Sequence, residues 1–382
     1  MTSKQLRVRV TGALVIIAAL HAPMAQAELY VAWKNKIRVH HESNGELLSR
    51  MTNSYHGETL TSITVGPDGH VYAAHNFMGA GSVIRFDGRT GNVIDEYVPY
   101  DGSVNWGHET LLEKPGDLEF GPDGHLYISS HKVGTGWHIF RYDGGSGQFK
   151  GRFPSVGSRF AFAADSYLYI AEDQSTLVGG KIVRYSAQTG QNIGNFAILP
   201  QVGGIHDMSF GPDGTLYLLA TNMENPRARD IYRVNGATGE FVDLLIDTGA
   251  AGMGRSQAPM KMVVGPDGDV YIADAGALLN IWRFDGKTGA FKGIFIHEPL
   301  PDYGPAWIAG LAFSIARIAV HNDSAGAYLT WPHTFGNFKL ESRATLDAQW
   351  EPILEKPLVN GGQLRLDLDP KAEQRFFRLM KR

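Results

Sequence analysis

The most regular feature of the chain is a short apolar run, a four-residue polar turn and a second short apolar run, repeated along most of its length. Gly66-Pro67-Asp68-Gly69 recurs as Gly121-Pro122-Asp123-Gly124, Gly211-Pro212-Asp213-Gly214 and Gly265-Pro266-Asp267-Gly268. A degenerate copy, Ala163-Ala164-Asp165-Ser166, stands between the second and third. Each copy follows a run such as Leu118-Glu119-Phe120 and precedes one such as Leu126-Tyr127-Ile128. Pro presets φ at one turn position and Gly supplies a positive φ at another, so every copy predicts a β-hairpin.

A second pattern follows each hairpin. Ile84-Arg85-Phe86-Asp87-Gly88 is echoed by Phe140-Arg141-Tyr142-Asp143-Gly144, Ile182-Val183-Arg184-Tyr185, Ile231-Tyr232-Arg233-Val234 and Ile281-Trp282-Arg283-Phe284-Asp285-Gly286. A Thr-Gly turn comes next (Thr90-Gly91, Thr189-Gly190, Thr238-Gly239, Thr288-Gly289), then a fourth apolar run such as Phe291 to Phe295. Four short strands recurring every 42 to 55 residues predict propeller blades. The ends of the array complement each other. Glu28-Leu29-Tyr30-Val31-Ala32 reads as a second strand without its first, and Gly310-Leu311-Ala312-Phe313 supplies it. Joining them makes a sixth blade and removes the open edges that a solenoid would have to cap. The expectation is an all-β chain: a six-bladed β-propeller over 28–317, closed between N- and C-terminal strands.

The repeat G-P-D-G-x-[LV]-Y followed by [IV]-x-R-[FY]-D-G-x-T-G resembles the NHL-repeat propellers of secreted bacterial proteins, over about residues 28 to 316. Those share a six-bladed fold with the gluconolactonase/senescence-marker superfamily. Residues 318–382 break the pattern with Trp331-Pro332, Phe338-Lys339-Leu340-Glu341-Ser342, Trp350 and Phe376-Phe377-Arg378-Leu379. Short alternating strands there predict a small β-sandwich-like module. The segment resembles a C-terminal module of many secreted environmental bacterial proteins.

Composition narrows the partners. With 35 Lys+Arg against 39 Asp+Glu, the net charge of −4 leaves no basic surplus for a phosphate backbone, so nucleic acid is not expected. Lys4, Arg7 and Arg9, the apolar run Ala13 to Leu20 and Ala25-Gln26-Ala27 form the three regions of a secretory signal peptide over 1–27. Eight apolar residues fall far short of the ~20 that span a bilayer. The expected product is an exported monomer, periplasmic or extracellular, beginning at Glu28 with no membrane span. The chain has no Cys despite that disulfide-permissive route, so its stability must come from a large core.

Strand order puts the uniform turns on one side of a propeller and the long, dissimilar loops on the other, and the variable side is the expected functional face. It would carry His75, Asn76, His131, Glu172, Asp173, Asn222 and Asp274 from within blades. Between blades it would gain Tyr100, Trp106, His108, Tyr303 and Trp307. Aromatics, carboxylates and imidazoles together suit a small molecule, a glycan or a protein partner, or a divalent metal as cofactor. In the gluconolactonase-type relatives the resemblance implies metal ligands Glu, Asn and Asp where the first strands begin, and in related peptidyl-hydroxyglycine lyases zinc-binding His near that level. Five residues before each turn glycine stand Thr61, Gly116, Ser158, His206 and Met260, with Ala309 in the closing blade. Only His206 can ligate, so neither family set is present. Two readings follow. One is a non-catalytic module binding a glycan, peptide or envelope protein through its loop-rich face. The other is a metal-dependent hydrolase or lyase, lactonase-like or polysaccharide-acting, with His75, His131 and His206 on the metal and Asp117 or Asp207 as base.

Overall fold

The computed structural model describes 28–52, 59–77, 80–99, 112–163, 165, 167–172, 179–253, 259–274, 278–299 and 308–314. It also describes 319–323, 326–332, 338–343, 349, 351–355, 357–360, 363–367 and 376–381, with the strands 6–10 and 13–17. Two units are distinguished: Glu28–Val65 with Val71–Phe313, and Met1–Ala27 with Gly66–His70 and Ser314–Arg382.

The repeats fold into six antiparallel four-stranded sheets. Blades 1 to 5 begin with the inner strands Leu60–Val65, Lys114–Phe120, Arg159–Phe162, Val202–Phe210 and Pro259–Val264. Blade 6 combines Ile308–Phe313 with Glu28–Trp33, Lys36–His41 and Leu47–Thr52, in the register Ile308↔Trp33 to Phe313↔Leu29. Each inner strand packs beside the next, and Ile308–Phe313 lies against Leu60–Val65, so the ring closes. The fold is a six-bladed β-propeller.

Each repeated residue has a local task. In the turn, the Asp accepts a hydrogen bond from the backbone N–H two residues on, as Asp123 does from His125 at 3.1 Å and Asp267 from Asp269 at 3.0 Å. Its other oxygen takes the hydroxyl of the following Tyr: Tyr127 to Asp123 at 2.7 Å, Tyr271 to Asp267 at 2.9 Å. The degenerate copy keeps both bonds, through Tyr167 N and the Tyr169 hydroxyl to Asp165, which is why it still makes a blade without Pro or Gly. The same Tyr rings stand edge-on to an inner-strand Phe of the next blade, Tyr72 to Phe120, Tyr127 to Phe162, Tyr169 to Phe210 and Tyr271 to Phe313, at 4.8 to 5.1 Å. Such pairs add about 0.5–1.5 kcal/mol each beyond the area they bury. The repeated Arg ties blades from outside: Arg141 donates to the Gln188 carbonyl at 2.8 Å and Arg233 to that of Lys287 at 2.9 Å. Asp87, Asp143 and Asp285 hold their own turns by accepting backbone N–H bonds.

In the second unit, Ala319–Asp323, Gly326–Pro332, Gln363–Asp367 and Leu358–Asn360 form one antiparallel sheet. Glu351–Pro352, Phe338–Arg343 and Phe376–Lys381 form another. Leu329, Leu340 and Leu366 are buried. In the N-terminal segment, Leu6–Val10 pairs antiparallel with Ala13–Ile17. Among the described residues no helix is long and apolar enough to cross a membrane.

Candidate functional site at the channel mouth

The residues that meet across the channel stand one place beyond the expected ring. Four residues before each turn glycine or its equivalent are Ser62, Asp117, Arg159, Asp207 and Lys261, with Gly310 in blade 6. Most of these strands carry a bulge. Pairing with the second strand shifts between Leu60 and Ser62, Pro115 and Leu118, Ile205 and Asp207, Pro259 and Lys261, and Ile308 and Gly310. An inserted residue re-aims the side chains around it, and these five blades carry one at the level of the ring; blade 3 presents Arg159 there without a bulge.

Lys261 of blade 5 reaches Asp117 of blade 2, the opposite side of a six-membered ring, with Nζ 2.9 Å from Oδ1. Arg159 of blade 3 donates to the same oxygen at 2.8 Å. Asp117 and Lys261 are each only 8% exposed, so this bridge across the channel is buried. Asp207, equally buried, accepts from the N–H of Met208 at 3.1 Å and of Met262, in the next blade, at 2.8 Å. The two carboxyls are driven apart. Burial alone would raise Asp117, but the charges of Arg159 and Lys261 outweigh it and hold the carboxyl below the usual range. Burial pushes Asp207 up; Lys261 opposes the shift and the Asp117 charge adds to it.

The mouth begins where these strands start. His206 Nε2 lies 2.8 Å from the Thr221 hydroxyl, and Thr221 pairs across the sheet with Arg229. Arg229 extends to blade 5 and donates to the Pro259 carbonyl at 2.9 Å. Burial, then the charges of Arg229 and Arg159, bring His206 down to about 4, so its ring is neutral at pH 7. On the blade 2 side, a Cβ built on Gly116 would lie 3.4 Å from the Trp137 ring and 3.5 Å from Ser158 Cβ, which places that indole near the start of the blade 2 inner strand, close to the blade 3 one. His131 stands edge-on to Trp137 at 5.3 Å.

The depressed His206 has a measurable consequence. Its folded value lies below the unfolded reference of about 6.5, so the unfolded chain takes up the proton first and stability falls as pH drops from about 6.5 toward 4. Titration of the His206 ring by NMR is expected to give a midpoint near 4. A midpoint above 6 would show that the ring is not desolvated.

The three imidazoles expected to share a metal are not brought together. Each is held within its own blade: His75, fully buried, lies 2.6 Å from the Ser82 hydroxyl, His131 leans on Trp137, and His206 is bonded to Thr221. Among the described residues no three His, Asp or Glu side chains group closely enough to hold a metal ion. Asp117, considered as a base, is ion-paired twice. Asp274 is buried and accepts from Asn280 and from the Trp282 indole, each at 3.0 Å. Asn222 donates to Asp230 at 2.7 Å and caps its own loop through Glu224 N and Asn225 N. Glu172 pairs with Lys181 at 3.2 Å, and half-buried Asn76 lies opposite Gly81 in its hairpin. Tyr100, Trp106, His108, Asp173, Tyr303 and Trp307 lie outside the described residues. Arg159, Lys261, Arg229 and Trp137 were missed. A cation inside an apolar inner strand, as in Arg159-Phe160-Ala161-Phe162 and Lys261-Met262-Val263-Val264, was the available signal.

No protein-family model matches this chain, and no curated protein matches it. Solved structures do. TolB from Acinetobacter baumannii is 13% identical, with a TM-score of 0.52 over 76% of this chain and 67% of that one. A protein of unknown function from Bacteroides caccae is 11% identical, with a TM-score of 0.50 over 76% of this chain and 99% of that one. The likeness establishes the fold alone.

Proposed function

We propose that this protein is an exported binding module that takes a glycan, a peptide or an envelope protein on the loop-rich face of its propeller, at the channel mouth, without catalysing a reaction. The observation that carries this reading is the commitment of the polar groups at the mouth. Asp117 is shared between two cations, Asp207 accepts two backbone N–H bonds, and His206 is bonded to Thr221. A general base needs a free lone pair near its working pH, and these groups are held in place instead. Arg159, Arg229 and Trp137 offer charge, hydrogen bonds and a flat ring, which is recognition chemistry.

Glycan and peptide arrays probed with the full-length purified protein are expected to yield a ligand whose binding is lost in Trp137→Ala and kept in Leu48→Ala, an exposed outer-strand change. Sustained turnover of a lactone, ester or polysaccharide that depends on the mouth residues would overturn the non-catalytic reading. Export is checked separately: the processed chain is expected to begin at Glu28 in its intact mass.

A further inference from the structure

The mouth between blades 3 and 4 holds an arginine, Arg229, that no carboxylate answers among the described residues. Arg159 and Lys261 share one oxygen of Asp117. Among the described residues no carboxylate pairs with Arg229, whose hydrogen bond goes to a neutral carbonyl, that of Pro259. A guanidinium stays charged at any physiological pH and is costly to desolvate beside another cation. Half-buried Arg229 is in that position: burial, then the charge of Arg159, lower its affinity for its own proton. The same two arginines act on His206. Geometry brings these groups together: Arg229 stands opposite Thr221 in the blade 4 sheet, Thr221 bonds to His206, and the blade 3 inner strand that carries Arg159 packs beside the blade 4 inner strand that carries His206. The Asp117–Lys261 bridge spans the channel at this level, and the Trp137 indole stands by Gly116, the residue before Asp117.

We propose that Arg159, Arg229, Thr221 and His206 form a binding site for an oxyanion, a carboxylate or phosphate group carried by the ligand, whose uncharged part lies along Trp137. This inference rests on the loop face being the binding face. Guanidinium forks match the geometry of either group, and two of them with a hydroxyl provide several donors to one anion. The anion would give Arg229 a countercharge, and it would favour the imidazolium form of His206.

The test is an NMR titration of the His206 ring in the full-length protein at constant ionic strength, in chloride, in acetate and in inorganic phosphate. A saturable rise of the His206 midpoint in acetate alone identifies a carboxylate site, and in phosphate alone a phosphate site. A rise in both supports the shared oxyanion chemistry. Arg229→Gln is expected to weaken the anion about tenfold or more, as the loss of a charge-assisted bond implies, while Arg229→Lys keeps part of the response. No shift with either anion at millimolar concentration overturns the proposal, as does a shift unchanged in Arg229→Gln. The two readings fail separately. An array ligand that is neutral and indifferent to Arg229→Gln removes the anion site and leaves the binding module. An anion response with turnover at the mouth removes the non-catalytic reading and leaves the anion site.

Discussion

Replacing Asp117 by leucine is expected to cost about 3 kcal/mol of stability at neutral pH, the lower end of what removing one partner of a buried ion pair costs. Lys261 would be left with its charge in the channel, 8% exposed, and Arg159 would lose its acceptor. Asp207 moderates the loss, because without the Asp117 charge its carboxyl ionises more readily and offsets Lys261. The double variant Asp117→Leu/Lys261→Met is expected to recover most of the stability, since a buried pair exchanged for apolar side chains is often neutral. Urea unfolding of the two singles and the double checks this; additive losses would show that the pair is not coupled. The pH dependence has a definite sign. Asp117 is depressed in the folded state, so its contribution is present above the unfolded carboxylate value of about 3.9 and is lost as pH falls below it. The acid limb of the stability curve is expected to flatten in Asp117→Leu.

Gly239→Ala is expected to be of similar size, about 3 kcal/mol, for a different reason. Its φ is +78°, where an L side chain costs about 1–2 kcal/mol. A Cβ there would also lie 2.0 Å from the Phe196 carbonyl oxygen on the outer strand of the preceding blade, so one blade would have to shift against another. Gly214→Ala is the control. Its φ is +83°, yet no atom lies within 4 Å of a Cβ there, so only the backbone cost of about 1–2 kcal/mol is expected. Equal losses for the two in denaturant melts would remove the inter-blade contact as the explanation. The same contact recurs where Gly289 meets Leu245 O and Gly45 meets Phe295 O. Blade 6, though built from both ends of the chain, is packed like the others.

The blade number and the closure between Glu28–Trp33 and Ile308–Phe313 were both legible in the sequence. The blade number depends on residues close together in the chain, since each Pro-Asp-Gly turn dictates its hairpin, whereas the closure was readable because the two ends of the array carry complementary incomplete units. The mouth was legible only in part. His206 and Asp117 are visible in the sequence, but the ring position that the family resemblance implies lies one residue too far from the turn glycine, and a bulge leaves no mark in hydrophobic alternation that would correct it. His75, His131 and Asp274 looked like site residues on residue type, and the fold uses each to bond or pack within its own blade.

The order of strands and the ring were thus determined by local chemistry repeated along the chain. Tertiary structure alone decided that Lys261 would meet Asp117 from 144 positions away, and that Arg229 would reach the Pro259 carbonyl at the edge of the next blade. Closing the ring brings opposite blades within the length of a lysine side chain and buries the ion pair between them. In that low-dielectric space the balance of charge is set by which side chains face one another, and sequence separation carries no information about it.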